Sequence, residues 1–133
     1  MYIIICLDDN NGLAFNHRRQ SQDRIVAEDI RKTVGEKKLW ITDYSRKLFQ
    51  AVSNLEISEN PKEEAKKGEY VFQELETLDT GDERIEQFII YRWNRVYPAD
   101  VSVEIGAEWK LTETEEFSGF SHEKITKEIY CRE

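Results

Sequence analysis

Two clusters centred on the stretch Asp8 to Arg24, the second reaching on to Asp43, have residue types and spacings suited to chemistry, and a third pairing joins His17 to a distant residue. The first cluster is cationic. His17, Arg18 and Arg19 are consecutive, and Arg24 lies one helical turn beyond Gln20. Arginine forks donate paired hydrogen bonds to carboxylate or phosphate, and an adjoining helix N-terminus adds N–H donors for the same anion. The competing account is ordinary surface ion pairing with Asp8, Asp9 or Asp23, which contributes little. The second cluster is acidic. Asp8, Asp9, Asp23 and Asp43 would hold Mg²⁺ only if gathered at strand ends, and turn or cap roles explain each separately, so no metal is expected. The third is His17 with His122 as a general acid–base pair for nucleotide hydrolysis; nothing in the sequence brings them together.

These side chains need a scaffold, and the pattern supplies one. Tyr2–Leu7 is a short, Ile-rich apolar run of the kind buried on both faces of a sheet. Residues 8–17 read as a loop turning at Asn11-Gly12, where both residues tolerate positive φ. Ser21 then caps a helix to Val34, with Asp23 in its first turn, Ile25, Val26, Ile30 and Val34 on one face, and Gly35 as its stop. Strands are expected at 37–42, 54–58, 69–72, 84–96 and 101–105. A short helix capped by Asp43 spans 44–52, a solvated turn or linker 59–68, and a helical turn 73–78. Residues 108–116 and 125–132 alternate and form an antiparallel hairpin. Early strand–helix alternation and a strand-rich end imply a single α/β domain with a central mixed sheet, parallel first and antiparallel at its last edge.

The 133 residues suffice for one domain, and 39% apolar composition with three Trp, six Tyr and six Phe provides a core. A net charge of −8 argues against broad nucleic-acid binding, which needs clustered cations facing phosphate. No stretch approaches the roughly 18 apolar residues of a membrane span, so cytoplasmic residence is expected. Tyr91, Trp93, Arg95 and Tyr97 alternate onto one strand face, read here as a half-covered sheet edge, with a homodimer through it left open.

The order of elements, the Asn11-Gly12 turn, the loop Ala14–Gln20, the helix with Asp23 near its start and the closing hairpin from Trp109 to Glu133 resemble a shortened, diverged dihydrofolate reductase. That resemblance places the family's catalytic carboxylate at Asp23. It also implies departures. Thr42-Asp43-Tyr44-Ser45 stands where the family has Gly-Arg-x-Thr, and Gln73-Glu74 stands where paired glycines meet the cofactor's pyrophosphate. The family's substrate-binding Thr falls at about Tyr91, and 53–70 is short for an adenosine-binding lobe. No cofactor is therefore expected. The same fold separates the first and last strands by one other, about 10 Å, beyond disulfide reach, so Cys6 and Cys131 should be free, buried thiols. A ribonuclease Z would instead need a zinc cluster of His and Asp, whereas this chain has two distant His.

The reading that follows is a dihydrofolate reductase-like protein without folate reductase activity. It binds a small anionic ligand or a protein partner through Asn11, Gly12, Phe15, Asn16, Arg18, Arg19, Gln20, Asp23 and Arg24. The alternative is an enzyme, either a reductase with an altered cofactor site or a phosphodiester hydrolase.

Overall fold

The computed structural model describes residues 1–133. Strand β1 (Tyr2–Leu7) is followed by β2 (Gly12–Phe15), β3 (Arg18–Arg19) and helix α1 (Arg24–Val34). Next come β4 (Leu39–Ile41), a 3-10 helix (Asp43–Phe49), β5 (Leu55–Ile57), α2 (Pro61–Glu64) and β6 (Tyr70–Phe72). The remainder is β7 (Gln87–Arg92), β8 (Val101–Ser102), β9 (Trp109–Phe117) and β10 (Ile125–Arg132).

Seven strands form the main sheet in the order β5-β4-β6-β1-β7-β10-β9. Five are parallel, and β10 and β9 add antiparallel at one side. β1 is central, its Ile4 paired with Phe72 of β6 and Ile89 of β7. Period-two alternation sends Ile4 towards α1 and the 3-10 helix, and Ile3, Ile5 and Leu7 into a second core on the opposite face. This explains the unbroken apolar run. Val26, Ile30 and Val34 seat α1 on the first core, each burial contributing about 1.5–3 kcal/mol, while Ile25 of the expected face remains exposed.

Several expectations need correction. Residues 12–19 are not a loop: β2 pairs with β3 and with β8 in a separate three-stranded sheet. The β2–β3 turn is Asn16-His17, both at positive φ (52° and 60°). In the preceding turn only Asn11 has positive φ; Gly12 is required because an added Cβ would lie 2.7 Å from Gln20 Nε2 and 2.9 Å from Asp8 Oδ2. The cap of α1 is Asp23, whose side chain accepts from the Ile25 N–H, and not Ser21. Asp43 lies inside its helix, paired with Arg46, rather than capping it. No helical turn forms at 73–78, where the Gln73 side chain donates to the Glu76 carbonyl (2.6 Å). Finally, β7 lies inside the sheet, and Tyr91 and Trp93 are buried in the core, so they do not form a half-covered sheet edge.

Strand β7 stands between β1 and β10, and both thiols are free, as expected, but each residue is half-buried rather than fully buried. Burial, reinforced by the charge of Glu74, pushes the Cys6 thiol far above its ordinary range.

Candidate functional site

The carboxyl ends of β1 and β6 open onto a cleft, the usual ligand position in parallel α/β sheets. Cys6, Phe49, Phe72 and Trp93 contribute apolar surface, and Val26 and Ile30 of α1 contribute one wall. Arg19, Gln20, Ser21 and Asp23 approach from the chain between β3 and α1, and Gln73 and Glu74 from the end of β6. The cavity volume is about 30 Å³, room for a water or two.

Its narrowness has an electrostatic cause. Arg19 donates through Nε (2.7 Å) and Nη2 (3.2 Å) to the two oxygens of Glu74, and lies over the Tyr44 ring at 4.3 Å. Ser45 Oγ adds a 2.6 Å bond to Glu74. The Glu74 side chain is only 9% exposed, so low dielectric strengthens the pair relative to a surface bridge. Beside it, Gln20 Nε2 donates to Asp8 Oδ2 (3.0 Å) and to the Pro98 carbonyl (3.3 Å). Those two acceptors fix the amide orientation and leave Gln20 Oε1 buried without a hydrogen-bond partner.

Asp23 lies at the start of α1 and is saturated with donors. It receives the N–H groups of Ile25, Phe120 and Ser121, each at 2.9 Å, and His122 Nδ1 at 2.8 Å. Burial alone would raise its carboxyl; the Phe120 N–H, the His122 bond and the remaining N–H donors outweigh that and hold it well below the carboxylate range. Gly119 permits the approach, since a Cβ there would lie 2.6 Å from Asp23 Oδ2. His122 is buried, stacked on Trp93 (4.6 Å, 24°), with Ser21 Oγ 3.0 Å and Tyr97 OH 3.2 Å from Nε2.

The anticipated site residues therefore divide. Arg19, Gln20 and Asp23 meet in the cleft. Phe15, Asn16 and Arg18 are exposed on the β2–β3 hairpin, with His17 at its tip. Asn11 accepts from Arg92, Gly12 N–H donates to Asp8 Oδ1 (2.8 Å), and Arg24 covers the Phe120 ring at 4.4 Å. Arg19's partner is Glu74, not a nearby Asp. Asp8 is a buried acceptor for the N–H groups of Asn10, Gly12 and Tyr97, and no three His, Cys, Asp or Glu side chains converge as a metal would require. His17 and His122 do not meet: His17 is exposed at the hairpin tip, whereas His122 is buried. Ser21, Glu74, Trp93 and His122 also line or adjoin the cleft, although sequence reasoning gives them other roles: a helix cap, a departure from the cofactor site, a sheet-edge aromatic and a partner for His17.

No family model matches the sequence, and no curated protein matches it. Among solved structures, the chain is similar to dihydrofolate reductase from Enterococcus faecalis complexed with NADP(H) and RAB-propyl. The superposition covers 98% of this chain and 95% of that one, with a TM-score of 0.65 and 10% identity. The fold is dihydrofolate reductase-like. At that identity the likeness is one of fold alone. Within the dihydrofolate reductase-like fold, Glu74 belongs to the segment standing in place of the paired glycines and Ser45 to the one standing in place of Gly-Arg-x-Thr, and here they bond to each other.

Proposed function

We propose that this dihydrofolate reductase-like chain binds a small anionic ligand at the mouth of its cleft and does not reduce folate. The observation that carries this reading is the unpartnered Gln20 Oε1 beside the Arg19 guanidinium, above an apolar floor. An orphaned buried acceptor is costly unless something donates to it. A ligand joining an N–H or O–H donor to a carboxylate or phosphate answers both groups, and exposed Arg18 adds positive charge nearby.

Against hydride transfer, the Glu74 carboxylate would repel a pyrophosphate, and the Asp23 carboxylate already serves the 119–122 loop. Before β6 begins at Tyr70, the segment from residue 53 contributes β5 and the single turn α2, which fits a reduced cofactor lobe. NADP(H), bound by the similar enterococcal protein, is therefore not a ligand expected here.

A thermal-shift screen of nucleotides, folates and small carboxylates tests both parts. At about 100 times Kd, a ligand adds about 2.7 kcal/mol, several degrees for a domain of this size. At least one small anion should raise Tm, and the shift should disappear in Arg18→Gln/Arg19→Gln. NADPH should leave Tm unchanged. A rise of several degrees with NADPH, or arginine variants that lose stability yet keep the ligand response, would overturn the proposal.

A further inference from the structure

Ser21, His122 and Asp23 stand in a linear order of contacts that the anion reading does not use. Asp23 Oδ2 meets His122 Nδ1 at 2.8 Å, with the side chains 0% and 4% exposed. An ionised carboxylate only accepts, so Nδ1 carries the proton in this bond. In the neutral ring, Nε2 then presents its lone pair, 3.0 Å from Ser21 Oγ. Stacking on Trp93 fixes the ring plane. Ser21 itself is only half-buried and lines the cleft, so its hydroxyl lies between the buried base and solvent.

We propose that Ser21, His122 and Asp23 form a nucleophile–base–orienter relay that hydrolyses esters of short carboxylic acids. Such relays are recognised by geometry and role rather than by chain order or fold. Ser21 Oγ adds to the ester carbonyl carbon while its proton passes to His122 Nε2. The adduct collapses, the acyl–oxygen bond breaks, and the leaving alcohol takes that proton from Nε2. Water then attacks the acyl-serine through the same base, giving the free acid and regenerating Ser21. Asp23 remains ionised and acts as the positioning residue for His122.

Four details shape the substrate and the site. The backbone N–H of Gln22, the residue after the nucleophile, has no backbone partner and is available to a carbonyl oxygen developing negative charge. A cavity of about 30 Å³ favours an acetyl group over a long acyl chain. Cys6, the other nucleophilic atom of the cleft, stays a neutral thiol because burial raises its pKa. Tyr97 OH, 3.2 Å from Nε2, competes with Ser21 for the same lone pair.

The test uses the full chain with 4-nitrophenyl acetate and 4-nitrophenyl octanoate, together with a fluorophosphonate label located by peptide mass mapping. Acetate should turn over faster than octanoate, and the label should map to Ser21. Ser21→Ala and His122→Gln should each lose turnover at least about 100-fold. Tyr97→Phe should keep at least the parent rate, since it removes only the competing donor. Because His122→Gln disturbs a buried network, Ser21→Cys serves as a second probe and should accumulate an acyl-enzyme visible by intact mass. The proposal is wrong if the parent protein gives no turnover above Ser21→Ala, or if the label maps to another residue. Either result leaves the anion-binding reading untouched, since that depends on Arg18, Arg19 and Gln20 rather than on Ser21.

Discussion

Removing the Glu74 carboxylate changes what Arg19 faces. Glu74→Gln preserves an acceptor for Arg19 and Ser45 but deletes the negative charge. Anion affinity should rise about tenfold, equivalent to about 1.4 kcal/mol, when titrated calorimetrically with the best anion from the screen. Weaker binding in this variant would show that Glu74 itself contacts the ligand. Asp23→Ala is a different case: it strands the N–H groups of Ile25, Phe120 and Ser121 together with His122. Losing an N-cap and orphaning several buried donors should cost about 3–5 kcal/mol, read from urea midpoints. A loss below about 1 kcal/mol would mean that water replaces the carboxylate with little penalty. The sequence made Asp23 legible as a helix-start carboxylate. Its main partners were not legible, because they lie 97–99 positions away in a loop with no recognisable motif. Ser21 and Asp23 are both good caps locally, and the distant donors favour Asp23.

Among the elements, the β2–β3 hairpin shows where local pattern runs out. Its strands are four and two residues long, and its turn is Asn-His rather than the Asn-Gly that marks a two-residue hairpin. His17 at φ 60° is held where only glycine is unstrained. His17→Gly should therefore raise stability by about 0.5–1 kcal/mol, measurable as an increase in Tm. An unchanged or lower Tm would assign His17 a compensating contact. By contrast, β1 and the β9–β10 hairpin were readable directly, one from its uninterrupted Ile run and the other from alternation across a Gly-containing loop. The reading overextended β7: the chain leaves the sheet after Arg92, and Asn94 adopts φ 59°. Apolar composition beyond that point reflects core packing of Trp93, not strand continuation.

For the molecule as a whole, acid should act through its buried carboxyls. Asp8 and Asp23 are both raised by burial, and both are brought below their ordinary values by donated hydrogen bonds. Groups depressed in this way stabilise the folded state above the unfolded carboxylate pKa of about 4, and that contribution disappears as pH falls towards the folded values. Urea midpoints should be nearly flat from pH 7 to about 5 and fall steeply below about 4. A midpoint that rises through that acid range would mean that relief of repulsion in a chain of net charge −8 dominates instead. The sheet edges carry a related safeguard. β9 is exposed along most of its length and bears Glu113, Glu115 and Glu116, while β5 at the other edge has only three residues. Charged or short edges discourage pairing with another chain. Replacing the three glutamates with Thr should cause concentration-dependent association in size-exclusion chromatography beyond any shown by the parent.

The bond between Asp23 and residues 120–122 also sets a timetable. During synthesis β1 emerges before its neighbours β6 and β7, and the first helix emerges nearly 100 residues before the N–H groups that complete its cap. Distant closures of this kind slow folding, because the chain must be joined before the contact repays the lost entropy. A nascent chain arrested before Gly119 would carry Ser21 and Asp23 without the histidine that links them. The relay therefore cannot exist on such a fragment, and its appearance would report that the last hairpin has docked.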